Sequence, residues 1–164
     1  NMVLVIGKTE GHIDQSLFAR TILDEKNGPP PEVNLFNEKN NGESILDLIN
    51  KGFVKSVHDI SLGGLLTAVS KMCIKGNKGI KLKKAKNLLH EIEYFFAEDQ
   101  GRYVIEIKPN DLKEVSKILD KNSVHFEELG IIIEKDMIIN EKTKVTIDEL
   151  RSYNTNWLNK YMSS

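Results

Sequence analysis

The chain of 164 residues has few of the residues that mark several classes of protein. Its single cysteine, Cys73, excludes an internal disulfide framework and a metal site built from several cysteines, which fits a reducing compartment. No apolar run approaches the roughly 20 residues that a helix needs to cross a bilayer, and no basic and apolar leader opens the sequence. We therefore expect a soluble, cytoplasmic protein that is not bound to a membrane.

An excess of charge of one sign is also missing. The 23 basic and 24 acidic side chains give a formal net charge of -1, and the isoelectric point is about 6.5. A chain so near neutrality has no general attraction for nucleic acid or anionic lipid, and the sequence shows no local basic patch. The four histidines, at 12, 58, 90 and 125, lack the spacing of metal ligands. We expect no nucleic-acid partner and no metal site, and we expect Cys73 to be a core residue.

The chain contains 40% hydrophobic and 29% charged residues. Its length is enough for one domain with a real core and too little for two ordinary ones. The apolar run Met2 to Ile6 predicts a buried strand that ends at Gly7. Because this strand begins at the second residue, we expect a piece of a longer protein. The three prolines of Gly28 to Pro31 predict an extended connection.

Helix and strand patterns alternate along the rest of the chain without strict βαβ regularity. Ser44 is expected to cap a helix that Gly52 ends, and capping boxes are expected at Asp111 with Glu114 and at Thr146 with Glu149. Further helices are predicted at 65–73, 88–96, 111–119 and up to residue 162, and strands at 53–58, 102–108, 129–133 and 137–139. The mixture predicts an α+β fold with a mixed β-sheet covered by helices.

The loop after the first strand is one candidate for ligand contact. Gly7-Lys8-Thr9 resembles the end of a phosphate-binding P-loop, but Met2 stands where that motif needs an earlier glycine, so this interpretation fails. The backbone of the loop can still approach a ligand closely, and a tight turn is the simpler alternative. The candidate residues here are Gly7, Thr9, Gly11 and Ser16.

The segment 58–64 is a second candidate. His58, Asp59 and Ser61 are the residue types of a catalytic triad, but adjacent side chains on a strand point to opposite faces, so we do not expect His58 and Asp59 to orient one another. The N–H groups of Ser61, Gly63 and Gly64, at the start of the next helix, suit a phosphate or a carboxylate. The alternative is that Asp59 or Ser61 only caps this helix.

The segment Glu98-Asp99-Gln100-Gly101-Arg102 is a third candidate. Its carboxylates and amide can recognise a polar ligand, and Arg102 can bind a phosphate or a carboxylate. The alternative is a solvated turn held by an arginine–carboxylate pair. The candidate residues are Glu98, Asp99, Gln100 and Arg102.

Taken together and in order, these segments resemble a known family, the C-terminal domain of bacterial phosphoribosylformylglycinamidine synthase subunit II. The resemblance is carried by Gly7-Lys8-Thr9-Glu10-Gly11-His12, Gly28-Pro29-Pro30-Pro31, His58-Asp59-Ile60-Ser61-Leu62-Gly63-Gly64-Leu65 and Glu98-Asp99-Gln100-Gly101-Arg102. It covers nearly the whole chain and implies the fold of the aminoimidazole ribonucleotide synthetase-related C-terminal domains. It also implies that residues 1–164 are one domain, similar to the last of four domains in a longer synthase.

The resemblance implies a part of an ATP-dependent amidoligase of purine biosynthesis. In that family the amide oxygen of formylglycinamide ribonucleotide is phosphorylated, and ammonia derived from glutamine then displaces the phosphate. Most ATP, magnesium and catalytic contacts lie in other domains of the family enzyme, so this chain alone is expected to be non-catalytic and to close or support a nucleotide or phosphate site. The implied partners are the remaining domains of the synthase, a glutaminase subunit and a small accessory subunit.

The sequence departs from the family pattern at Leu62, where aspartate is usual, and this puts the polar role of the loop in question. Two other functions stay open. The chain can be a stand-alone interaction or anion-binding module. It can also be the C-terminal domain of another enzyme of the superfamily, such as a selenophosphate synthetase or a thiamine-phosphate kinase, although the proline run and the segment 98–102 weigh against this.

Overall fold

A computed structural model of the chain describes residues 1–83 and 90–163. The described residues form one mixed sheet with the strand order β2-β4-β1-β5-β3-β6-β7. Neighbouring strands are antiparallel, except that β3 and β6 are parallel. The strands are β1 (Met2–Ile6), β2 (Val54–Ile60), β3 (Gly79–Leu82), β4 (Arg102–Ile107), β5 (Phe126–Ile133), β6 (Met137–Ile139) and β7 (Thr143–Val145).

Helices cover both faces of this sheet, which confirms the predicted α+β fold. The helices are α1 (Leu35–Asn50), α2 (Gly64–Gly76), α3 (Glu91–Phe96), α4 (Leu112–Lys121) and α5 (Ile147–Met162), with a π-helical turn at Ala19–Leu23 and a 3-10 turn at Pro109–Asp111. α2, α3 and α5 pack on one face, and α1 and α4 pack on the other. Among the described residues, none of these helices combines the length and the apolar character that a membrane span requires.

Strand β1 shows why the first apolar run has no polar residue. Val3 and Val5 belong to the core beneath α2, whereas Met2, Leu4 and Ile6 belong to the core beneath α1 and α4. Since successive side chains of a strand point to opposite faces, a strand covered on both faces is apolar throughout. The predicted strand at Met2–Ile6 is therefore confirmed, together with its burial.

The predicted start of α1 is wrong. The helix begins nine residues before Ser44, at Leu35, where the side chain of Asn34 accepts a hydrogen bond of 3.0 Å from the N–H of Asn37. Ser44 is instead buried inside the helix, and its hydroxyl accepts a hydrogen bond of 2.9 Å from the amide of Asn122. A hydroxyl that packs against a distant amide looks the same in sequence as one that caps a helix.

The other capping predictions have mixed outcomes. Thr146 and Glu149 form the predicted capping box at the start of α5. Asp111 makes no side-chain capping bond at the start of α4, where the 3-10 turn supplies the first turn instead. The strands predicted at 129–133 and 137–139 are present, but β3 lies between them in the sheet. Of the helix predicted at 88–96, residues 91–96 are helical, and Leu88 and Leu89 lie outside the described residues.

Gly64 provides a test of the packing that holds α2 on the sheet. Its φ is +70°, and a Cβ at this position would lie 2.7–2.8 Å from backbone atoms of Phe95, Phe96 and Ala97. We expect Gly64→Ala to lower the free energy of unfolding by about 3 kcal/mol, because it adds left-handed strain to a backbone clash. The matched control is Gly76→Ala in the same helix, where a Cβ meets no atom within 4 Å and stability is unchanged or higher. Equal urea midpoints for the two variants would contradict this packing.

Candidate functional site

A polar cleft of about 590 Å³ lies at the end of the sheet where β1 stops. We call it the polar cleft and define it by its walls, which are the loop 7–12, the segment 31–34, the first turns of α1, the pair Asp99-Gln100 and the turn 123–125. The register of the strands explains why these segments lie close together, because Ile6 at the end of β1 is opposite Tyr103 near the start of β4. The loop after β1 and the turn before β4 therefore lie at the same end of the sheet.

Asp99 holds one wall of the cleft in place. Its carboxylate accepts hydrogen bonds from three successive backbone N–H groups, those of Glu10, Gly11 and His12, at 3.0, 3.2 and 3.0 Å. The side chain is only 9% exposed. A carboxylate that receives three backbone bonds is mainly committed to the loop, so Asp99 shapes the cleft.

Arg102 lies beneath the cleft and is 1% exposed. Its guanidinium donates to the carbonyl oxygens of Ala97 at 2.7 Å and Asp99 at 3.2 Å, and to the hydroxyl of Thr9 at 3.0 Å. The Asp99 carboxylate is 3.7 Å away. Burial lowers the pKa of Arg102, and the charge of Asp99 offsets part of that effect. The arginine–carboxylate pair expected as an alternative is present, but it is buried and not solvated.

The carboxylate of Glu98 lies at the start of α2, where the sequence predicted that backbone N–H groups bind an anion. Its carboxylate oxygen Oε1 accepts hydrogen bonds from the N–H of Gly63 at 2.8 Å and from the N–H of Leu17 at 2.7 Å. The N–H of Gly64 donates to the carbonyl oxygen of Ser61 at 2.9 Å. In this structure the start of α2 therefore already faces a negative charge from its own chain, as the dipole of a helix favours.

The predicted candidates separate into two groups. Gly7, Gly11, Asp99 and Gln100 line the polar cleft, and Gln100 is exposed there. Thr9 and Ser16 are buried, the first against Arg102 and the second as an acceptor for the N–H of Ala19. Ser61, Gly63, Gly64, Glu98 and Arg102 do not line the cleft.

His58 and Asp59 lie on β2, away from the cleft. We did not expect the side chains of His58 and Asp59 to orient one another, yet the two residues are in contact. His58 Nδ1 is 2.6 Å from the carbonyl oxygen of Asp59 and 3.4 Å from its carboxylate. No hydrogen bond within residues 1–83 and 90–163 joins either of them to Ser61. The three residues therefore form no nucleophile and base pair.

The cleft also contains side chains that the sequence reasoning did not select. Asn34, Asn37 and Asn41 line it from the first turns of α1, and His12 and His125 line it from two loops. Asn41 is buried and donates to the carbonyl oxygen of Gly101 at 2.8 Å. Four asparagines between positions 34 and 41 were the signal available in the sequence. Amide groups of this kind suit a polar ligand recognised by hydrogen bonds.

The charge of the cleft is mostly negative. Its described lining includes the carboxylates of Glu10, Glu32, Glu38 and Asp99, against the single ammonium of Lys8. That ammonium lies 2.7 Å from Glu10 and is neutralised by it. The positive end of α1 compensates only part of this charge. A phosphate would therefore need further positive charge that the described part of this chain does not supply.

Comparisons with known proteins show what the chain is similar to. The family described as "AIR synthase related protein, C-terminal domain" matches residues 1–140. Phosphoribosylformylglycinamidine synthase subunit PurL of Pelagibacter ubique (strain HTCC1062) is 66% identical over all 164 residues, and the match covers 22% of that protein. The chain thus spans about a fifth of the length of the curated relatives it matches.

Two solved structures have the same fold. The structure of T. maritima PurL complexed with FGAR matches with a TM-score of 0.75 at 21% identity, over 91% of this chain and 27% of that one. The structure of T. maritima PurL complexed with ATP matches with a TM-score of 0.67 at 19% identity, over 91% and 25%. At these identities the likeness establishes the fold.

The role of Asp99 can be measured by stability. We expect Asp99→Asn to lower the free energy of unfolding by about 3 kcal/mol, because it removes the charge that balances the buried Arg102 and places an amide donor against backbone N–H groups. The neighbouring Gln100→Ala changes an exposed side chain and is expected to stay within about 0.5 kcal/mol of wild type. Urea unfolding of both variants checks this, and equal midpoints would refute the role of Asp99.

The occupied start of α2 gives a second test. Glu98→Ala frees the N–H groups of Gly63 and Leu17, so we expect phosphate to raise the melting temperature of this variant more than that of wild type. Thermal unfolding with and without phosphate, at constant ionic strength, measures the difference. Glu114→Ala removes an exposed carboxylate on α4 and is the control. If phosphate stabilises all three proteins equally, these N–H groups form no anion site.

Proposed function

The chain belongs to the family of AIR synthase related protein C-terminal domains, and on that premise we propose that it is a domain of a phosphoribosylformylglycinamidine synthase. In this proposal the full synthase is an ATP-dependent ligase of purine biosynthesis. It converts formylglycinamide ribonucleotide and glutamine-derived ammonia into formylglycinamidine ribonucleotide. Residues 1–164 form its last domain, which is non-catalytic by itself and closes or supports a nucleotide or phosphate site.

The observation that carries this proposal is the 66% identity to a PurL protein over every residue of the chain. The aligned span is the whole chain, so it includes the walls of the polar cleft as well as the core. Because the match covers 22% of the relative, most of the synthase lies outside the segment matched here. The proposed activity therefore belongs to the full protein.

The electrostatics of the polar cleft support a site that is shared between domains. Its described lining has four carboxylates and one lysine, so a phosphate would need cations from elsewhere. Apolar side chains stand exposed beside the cleft, at Val33 (56%), Leu35 (75%) and Phe36 (70%). Such a patch is typical of a surface that another part of a protein covers. We propose that another domain covers this patch and brings positive charge to the cleft.

The proposal assigns cofactors and partners to the whole synthase. ATP and magnesium serve the ligation in the full synthase, and in this proposal most of their contacts belong to its other domains. The partners are the remaining domains, a glutaminase subunit and a small accessory subunit, and the location is the cytoplasm. Within this domain, Gln100 is the candidate for direct ligand contact, since it lines the cleft, is exposed and makes only a weak hydrogen bond of 3.5 Å.

A domain exchange tests the proposal. The matching segment of the Pelagibacter ubique PurL is replaced by residues 1–164, and ATP-dependent formation of formylglycinamidine ribonucleotide is measured with ammonia as the nitrogen donor. We expect activity within about tenfold of the relative, because the interfaces of a 66% identical domain are largely kept. The relative without this segment and the isolated chain serve as controls and are expected to be inactive. A folded chimera without activity would refute the proposal.

A further inference from the structure

A second cavity, which we call the apolar groove, lies between the C-terminal half of α2 and the strands β1, β2 and β4. Its volume is about 570 Å³, which is within the range of small-molecule sites. It reaches Val3 near the start of β1, whereas the polar cleft begins at Gly7, roughly 13 Å farther along the chain. The two cavities share no lining residue, so the apolar groove is a separate feature.

The floor of the apolar groove is uncharged. Val3, Val104 and Ile80 are buried core residues that line it, and Met72 is a partly buried member of the same core. Burial raises the pKa of Cys73 in this floor to about 11, so the thiol is neutral at physiological pH. An occupant must therefore present a mostly apolar surface to the floor.

Three lysine side chains lie beside this apolar floor. Lys71, Lys75 and Lys78 line the same groove, and the first two are four residues apart on one side of α2. Lys78 pairs with Glu134 at 3.0 Å. No ion pair in the described parts of the chain includes Lys71 or Lys75.

The carboxylate in the groove does not neutralise these two lysines. Glu106 accepts hydrogen bonds from Ser56 at 2.8 Å and from the side chain of Asn1 at 2.6 Å. The ring of His58, which also lines the groove, is bonded to the carbonyl oxygen of Asp59. The arrangement is thus an apolar floor beside two ammonium groups that have no acidic partner among the described residues.

We propose that the apolar groove binds a small amphiphilic carboxylate, such as a medium-chain fatty acid. Its apolar chain lies over Val3, Val104 and Met72, and its carboxylate lies near Lys71 and Lys75. Each CH₂ that enters the groove strengthens binding about threefold to fourfold, and the two lysines select the carboxylate over a neutral head group. This site is independent of the polar cleft and of the synthase activity.

The single cysteine of the chain makes the site measurable. Cys73 lies in the groove, so we expect an occupant to slow its alkylation by iodoacetamide, a neutral reagent. The reaction is followed at pH 9, because the raised pKa leaves little of the reactive thiolate near pH 7. Decanoate and decanol are compared as ligands of the 164-residue chain below their aggregation concentrations. We expect decanoate to protect Cys73 at a concentration about fivefold lower than decanol, and octanoate to require about tenfold more than decanoate.

Variants separate the role of the lysines from general adsorption. The double variant K71Q/K75Q is expected to need about fivefold more decanoate for equal protection, with the effect of decanol unchanged. Both lysines are exposed, so the variant is expected to fold, which circular dichroism verifies. The control K160Q removes an exposed cation on α5, outside the groove, and is expected to behave as wild type.

Three results would overturn the proposal. The first is equal protection by decanoate and decanol, and the second is an unchanged decanoate requirement in K71Q/K75Q. The third is a dimer in sedimentation that shields Cys73 without any ligand, because a second copy of the chain would then be the occupant of the groove.

Discussion

The buried charge of Arg102 is the constraint on which the loops around the polar cleft depend. A guanidinium with 1% exposure cannot be solvated, so each donor needs an acceptor inside the protein. Thr9 and Ala97 supply acceptors, and Asp99 supplies both a carbonyl and the balancing carboxylate. These acceptors belong to the loop after β1 and the turn before β4, which are about 90 residues apart in sequence. Satisfying one cation therefore fixes the distance between two walls of the polar cleft.

The sheet order makes this arrangement possible. β1 and β4 are antiparallel neighbours, so the end of one strand and the start of the other lie at the same end of the sheet. Asp99 extends the connection by binding three N–H groups of the first loop, and Glu98 extends it by binding the N–H groups of Leu17 and Gly63. A chain with the same local segments but another strand order would not bring these groups together, so the site follows from the topology.

The limits of sequence reasoning follow from the same long-range contacts. The continuous apolar run of β1 and the capping box of Thr146 are local signals, and both predictions are confirmed. Ser44 and Asp99 have partners 78 and 87–89 residues away, and no local window contains them. Composition cannot distinguish a carboxylate that binds a ligand from one that binds its own backbone. The sequence therefore predicted which segments make polar contacts. It left open whether the partners in those contacts belong to a ligand or to the chain itself.

The polar cleft and the apolar groove place opposite electrostatic requirements on what binds to them. At the polar cleft, the acidic side chains that fix the loops also give the surface a negative charge, so a phosphate is favoured only when cations approach from outside the described chain. At the apolar groove, the carboxylate of Glu106 is held by Ser56 and Asn1, which leaves two lysines of α2 to attract an anion directly. In our proposals, another domain completes the site at the cleft, whereas the groove binds its ligand with residues of this chain alone. Comparing ligand binding to the isolated chain at these two cavities separates the contribution of the domain from that of the larger protein.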